Sequence, residues 1–220
     1  MMRYTMPEFS SAALITIDTQ LDTLDGQPLE IPETSAALPN IARILAAFRK
    51  FARPIVHIVR LYKPDGSNVD LCRREAVEEG APIFLPGSAG SELALDLLLE
   101  KHQRLDAPLL LSGGIQKLGP REVAMYKPRW GAFYQTTLEA HLRDMAISTV
   151  VFCGCNFPNC PRTSIYEASE RDFRVVLAQD AISGLYAKGC SELTNIGVAV
   201  LPTSEIVREL ERSCQQSVHS

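Results

Sequence analysis

Three side chains in this 220-residue sequence have types and settings that could do chemistry together: Asp18, Lys127 and Cys160. Cys160 closes the run from Val150 through Cys153, Gly154, Cys155 and Asn156, where loop is expected to become helix, with Asn159 placed to cap and Pro161 at the first helical position. A helix N-terminus presents unpaired N–H groups and partial positive charge, which lowers a thiol's pKa and favours the nucleophilic thiolate. The alternative is a small apolar core residue, the common fate of a free cysteine. Asp18 ends the apolar run Leu14-Ile15-Thr16-Ile17 and could accept a thiol proton, or it could simply form a turn. Lys127 is a surface charge unless its neighbours Tyr126, Pro128, Trp130 and Phe133 bury it. A thiol of ordinary pKa, about 8.5, is only a few per cent ionised near pH 7, so amide cleavage by Cys160 requires such a base and such a cation.

Other uses of these residue types fit less well. Cys153, Cys155 and Cys160 have the spacing C-x-C-x4-C, without the C-x2-C pairs of zinc sites or a nearby histidine, so no metal is expected. His57 lies inside an apolar strand and reads as a hydrogen-bonded core or crevice-wall residue, while His102, His141 and His219 read as surface positions. A Cys/His hydrolase pair therefore lacks a convincing base.

The elements that must position the three side chains alternate along the chain. Ala13 to Ile17, Pro54 to Val59, Thr149 to Cys153, Arg174 to Ala178 and Gly197 to Leu201 are continuous apolar runs, as buried parallel strands are. Ile41, Ile44, Leu45 and Phe48 fall on one helical face with Pro39 in the first turn, Pro161 to Arg171 predicts a second helix, and Thr203 can cap a last one through Val207 and Leu210. This alternation predicts an α/β protein with helices on both faces of a parallel sheet, in a single domain over 1–220. The stretch from Lys63 to Gly119 is rich in Pro and Gly, with a helical patch at Ser91 to Glu100 and a strand or packed loop at Leu109 to Leu111. A net charge of −4 argues against nucleic acid and anionic membrane as partners. No apolar run approaches the roughly 18 residues of a membrane span, and the six cysteines show no disulfide framework, so a reducing cytoplasm is expected.

Taken in order, the motifs resemble those of the isochorismatase-like cysteine hydrolase superfamily, which includes nicotinamidases, N-carbamoylsarcosine amidases and isochorismatases. Asp18 with Gln20 and Asp22 resembles its Asp-x-Gln-x-Asp opening, and Lys127-Pro128 with Gly131-Ala132-Phe133 resembles its lysine motif. Gly154, Cys160 and then Asp180-Ala181 resemble its nucleophile loop and the strand end that follows. The resemblance implies a three-layer Rossmann-like fold, a six-stranded parallel sheet in the order 3-2-1-4-5-6 and an Asp-Lys-Cys triad of Asp18, Lys127 and Cys160. It also implies a cis peptide between Cys155 and Asn156, an oxyanion hole from the backbone N–H groups of Asn156 and Cys160, no cofactor, and a homodimer or homotetramer with contacts in the Lys63 to Gly119 segment.

Departures from the family pattern refine what to expect. Where nicotinamidases carry an Asp-x-His metal site, this chain reads Arg60-Leu61-Tyr62, so no catalytic metal is expected. Phe157 replaces a small hydroxyl residue, and Pro158 and Pro161 bracket the nucleophile. Gln20, Arg60, Tyr62, Trp130 and Phe157 are the candidate pocket residues, with Arg60 able to clamp an anion. The expected function is hydrolysis of a C–N bond in a small amide or ureide. The alternatives are vinyl-ether hydrolysis, for which a thiol is not needed, and a catalytically silent binding protein of the same fold.

Overall fold

A computed structural model describes residues 3–217. In chain order the regular elements are β1 (Ala12–Ile17), α1 (Thr34–Lys50), β2 (Ile55–Val59), α2 (Leu71–Glu78), α3 (Ala107–Leu111), β3 (Ile115–Gly119) and β4 (Glu122–Tyr126). Then follow α4 (Leu138–Asp144), β5 (Thr149–Gly154), α5 (Cys160–Ser169), β6 (Arg174–Ile182), α6 (Ala187–Asn195), β7 (Ala199–Leu201) and α7 (Thr203–Ser217).

The strands form one sheet in the order β3-β4-β2-β1-β5-β6-β7. It has seven strands, which corrects the expected six in the order 3-2-1-4-5-6. The additional strand, β3, pairs antiparallel with β4 at the edge, and every other pairing is parallel. Its half-exposed residues and a register shift between Lys117 and Gly119 give an irregular edge that no strong apolar pattern announces. β1, β2 and β5 are buried at every position, which is why their sequences are continuously apolar. The chain winds outward from β1 to β2 and β4 on one side and from β5 to β6 and β7 on the other. The reversal between β1 and β5 opens a crevice at their carboxyl ends.

Two apolar clusters cover the two faces. One packs α4 and α5 residues, including Leu138, Leu142, Ile165 and Ala168, against Ile15, Ile17, Val150 and Phe152. The other seats Ile41, Ile44, Leu45 and Phe48 of α1, with Ile206 and Leu210 of α7, on Leu14, Val151 and Val176. The predicted face of α1 is therefore the buried one. The helix starts earlier than expected, at Thr34, so Pro39 lies in its second turn. Thr203 is the first residue of α7, and both its N–H and its hydroxyl donate to Asp180 Oδ1. Leu109 to Leu111 is the end of helix α3, begun by the Asp106 carboxylate accepting the Leu109 N–H. Ser91 to Glu100 holds only a short 3-10 turn at Leu95–Leu97. Among the described residues no helix is long and apolar enough to cross a membrane.

Candidate active site

Four neighbouring strands each deliver a polar side chain at the carboxyl edge. Asp18 follows β1, Arg60 follows β2, Lys127 follows β4, and β5 leads through a five-residue loop to Cys160, the first residue of α5. The backbone holds these ends in register: the Asp18 N–H donates to Ile58 O at 2.9 Å and the Lys127 N–H to Val59 O at 3.1 Å. Asp18 has φ +48°, a left-handed conformation that a non-glycine residue keeps only when its surroundings hold it. At the end of β5 only glycine fits. Gly154 has φ +113°, and a Cβ there would lie 2.3 Å from Ile17 O.

Lys127 and Asp18 meet in the crevice. The lysine, fully buried, donates from Nζ to Asp18 Oδ2 at 2.8 Å and to Arg129 O at 3.3 Å. Asp18 is buried too, and its Oδ1 has no protein partner. The lysine loop is seated on the nucleophile helix. The Ala132 N–H donates to Ser164 Oγ, Ser164 donates to Cys160 O at 2.7 Å, and the Phe133 N–H donates to Glu167. Gly131 passes so close to Glu167 that a Cβ would stand 2.2 Å from its carboxylate. The Gly-Ala-Phe run thus docks Lys127 onto the helix that carries Cys160.

The Cys160 thiol, 5% exposed, feels both partners. Burial pushes its pKa up and the Asp18 carboxylate pushes it further, while Lys127 and Arg60 pull the other way. The resting group is therefore a thiol beside a carboxylate. This differs from the thiolate expected of a helix N-terminus because burial and Asp18 outweigh the cations. Burial also raises the thiols of Cys153 and Cys155, that of Cys155 to about 12. All peptide bonds described are trans, Cys155 to Asn156 included, which corrects the expected cis bond. The loop is already anchored on both sides in the ordinary geometry, with the Cys155 N–H on Ile17 O and the Phe157 N–H on Ser183 O. Asn159 does not cap α5, since its side chain turns back to Asn156 Oδ1.

The expected pocket residues separate into different roles. Gln20 is taken up entirely by backbone: it donates to Arg60 O and Ser91 O and accepts the Arg60 N–H, so it fixes Arg60 and is no free wall. Phe157 is core, packed edge-on to Tyr186 at 5.4 Å. Trp130 is 38% exposed. Arg60 is buried, with Nη2 2.9 Å from Asp70 Oδ2 and its guanidinium 5.6 Å from the Tyr62 ring centroid. Tyr62 donates its hydroxyl to Asp70 at 2.8 Å and accepts from Arg73. Burial drives the Tyr62 phenol well above its ordinary range. Asp70 and Arg73 escaped the sequence reading. Asp70 stands at the N-cap of α2, but its carboxylate serves Arg60 and Tyr62 instead of the helix. The residues here do not fit a divalent cation, because a guanidinium occupies the edge of β2 and no three His, Cys, Asp or Glu side chains among those described could hold one.

His57 is no base for Cys160. Its ring nitrogens bond Thr16 Oγ1 and Glu122 Oε1, each at 2.8 Å. His102 is exposed, His141 is half-buried, and His219 lies outside the described residues. A concavity of about 360 Å³ lined by Arg49, Arg53, Leu99, Arg121 and Glu122 lies at the amino ends of β2 and β4, away from the crevice.

Residues 114–204 match the isochorismatase domain family model. The chain is 24% identical over 208 residues to a probable inactive nicotinamidase from Arabidopsis thaliana, covering 91% of this chain and 96% of that one. It is 26% identical over 174 residues to maleamate amidohydrolase from Pseudomonas putida, covering 77% and 71%. Among solved structures, an isochorismatase family protein from Desulfovibrio vulgaris superposes with a TM-score of 0.75 at 25% identity, covering 91% of this chain and 98% of that one.

Proposed function

From the premise that this chain belongs to the isochorismatase-like superfamily of hydrolases, we propose that it is a cysteine hydrolase that cleaves the C–N bond of a small amide or ureide, in a single domain over 1–220. The observation that carries the reading is the buried Lys127–Asp18 pair, whose second carboxylate oxygen has no protein partner while its charge acts on the Cys160 thiol.

In this reading Asp18 Oδ1 takes the proton from Cys160 Sγ as the sulfur attacks the substrate's carbonyl carbon. Lys127 holds Oδ2, so the carboxylate keeps its orientation in both protonation states. The backbone N–H groups of Asn156 and Cys160 receive the developing oxyanion, a contribution of about 3 to 4 kcal/mol per donor. The protonated Asp18 then gives its proton to the leaving nitrogen as the C–N bond breaks and a thioester remains on Cys160. A water molecule, deprotonated by Asp18, attacks the thioester, and Sγ recovers the proton as the carboxylic acid leaves. Because Cys160 starts as a neutral thiol, the proton transfer to Asp18 belongs to the reaction and not to the resting state.

The likeness to maleamate amidohydrolase supports amide chemistry. The likeness to a probable inactive nicotinamidase supports a second reading, a catalytically silent binding protein of the same fold. Ammonia release from a panel of small amides and ureides by wild type, Cys160→Ala and Cys160→Ser separates the readings. The proposal expects turnover in wild type and a loss of at least about 1,000-fold in both variants. Full activity in Cys160→Ala contradicts the thiol mechanism, and no turnover across the panel favours the silent protein. The exposed Leu71, Leu95, Leu99, Leu109 and Ile115 support a homodimer or homotetramer assembled through the 63–119 segment, which sizing in solution tests.

A further inference from the structure

At the opposite end of the sheet from the crevice, the concavity of about 360 Å³ beside β2 and β4 gathers three arginines around one carboxylate. Arg49, in the last turn of α1, is fully committed. It donates from Nε and Nη2 to the two oxygens of Glu122, at 2.8 and 2.6 Å, and from Nη2 to Leu97 O. His57 bonds Glu122 Oε1 as well, at 2.8 Å, so this carboxylate is already shared. Arg53 and Arg121 line the same concavity and have no carboxylate partner among the described residues.

The backbone fixes both of these arginines: the Arg53 N–H donates to Phe48 O at 2.8 Å, and Arg121 O accepts the Ile55 N–H at 2.9 Å. Arg53 is half-buried. Its Nε is closed off from solvent with no hydrogen-bond partner in the protein, and Nη2 reaches only the Cys214 sulfur at 3.9 Å. A guanidinium N–H buried in this way is unfavourable unless another group answers it. The end of α1 does not require the Arg53 charge, because the carbonyls of Ala47, Phe48 and Arg49 already accept the N–H groups of Phe51, Arg53 and Ala52. Arg121 stands exposed in the turn between β3 and β4. The other walls, Ala52, Ile55, Leu99 and Pro120, are apolar.

We propose that this concavity binds a small organic anion. An oxyanion head, carboxylate or phosphate, is taken by Arg53 and Arg121, and a compact apolar or aromatic body rests on the four apolar walls. Guanidinium forks suit the paired oxygens of either head group. The volume falls within the range of about 300 to 1,000 Å³ that small-molecule sites occupy. None of these residues belongs to the Asp18, Lys127 and Cys160 site, so the proposal stands or falls independently of the hydrolase reading.

Phenylglyoxal, which modifies arginine side chains, tests the site in the unaltered protein. Modification of Arg121 and Arg53 would be followed by peptide mass spectrometry in the presence of phenyl phosphate, benzoate, inorganic phosphate or benzyl alcohol. The exposed Arg43 and Arg208, which do not line the concavity, serve as internal controls. Phenyl phosphate or benzoate is expected to protect Arg121 saturably, at a concentration at least about 10-fold below that needed with inorganic phosphate, and to leave Arg43 and Arg208 reactive. Whichever of the two protects better identifies the head group. Benzyl alcohol, the body without the charge, should not protect. Arg53→Gln should raise the half-protecting concentration by about 10-fold or more, and Arg53→Lys, which keeps the charge without the fork, should fall between it and wild type. Equal protection by inorganic phosphate means an adventitious ion only and overturns the proposal, as does an Arg53→Gln protein protected like wild type. Absence of protection by either aromatic anion at about 10 mM also overturns it. So does an Arg121 that is shielded without ligand in proportion to protein concentration, which would seat a second copy of the chain there.

Discussion

Replacing Lys127 by methionine tests how the site is held together. The substitution keeps the length of the side chain and removes the ammonium that lies 2.8 Å from Asp18 Oδ2, where the lysine is fully buried and the Asp18 side chain is 7% exposed. At an effective dielectric constant of about 20, charges at that distance attract by about 6 kcal/mol. Part of this is already offset by desolvation of the pair. Removing one partner of a buried pair, so that the other charge is left alone, costs about 3 to 5 kcal/mol. Urea denaturation of Lys127→Met should show a deficit in that range at neutral pH, with an unchanged m-value. Asp18→Asn combined with Lys127→Met should recover most of the loss, giving a coupling energy well above 1 kcal/mol in the double-mutant cycle. Activity should fall by about 100- to 10,000-fold in Lys127→Met, since Asp18 would no longer be oriented. A stability loss under 1 kcal/mol, or two single substitutions whose effects add, would refute the buried pair as the frame of the site.

Two further expectations concern the scaffold. Burial pushes the Glu122 carboxyl up, but hydrogen bonds from Arg49 and His57, with their charges, hold it down at about 2, against an ordinary 4.5. That difference is worth roughly 3 kcal/mol, present above pH 4.5 and lost as the pH falls from 4.5 towards 2. Urea titrations from pH 7 to pH 2 should show Glu122→Gln less stable at neutrality and its curve converging on wild type in acid; parallel curves would contradict the network. Gly154→Ala should cost about 2 kcal/mol or more, because φ +113° disfavours any side chain and the new Cβ would press on Ile17 O. Thermal unfolding reads the loss, and a Tm within a degree of wild type would contradict the tight β1 to β5 contact.

How much of this was legible in the sequence differs from element to element. β1, β2 and β5 are apolar because both faces are covered, so composition alone located them. β4 escaped because Glu122 opens it, and that charge is tolerated only through Arg49 and His57, neither of which is near it in sequence. β3 escaped because an edge strand with exposed positions has no clean alternation. Asp18, Lys127 and Cys160 could be picked out because each stands just past an apolar run within a recognisable motif. The roles of Gln20 and Asp70 could not, since each depends on where Arg60 lies across the sheet. The direction of the Cys160 shift was misread because a helix N-terminus is visible in sequence, whereas burial and the approach of Asp18 are not.

The most direct test of the central claim is to catch the sulfur in the act. Turnover of an amide found in the panel would be quenched in acid within milliseconds, and the Cys160 peptide weighed. The account predicts an added mass equal to the acyl portion of that amide, released by hydroxylamine and absent from Cys160→Ser. Sustained ammonia release with no acyl mass on Cys160 at any quench time, together with an active Cys160→Ala, would contradict it.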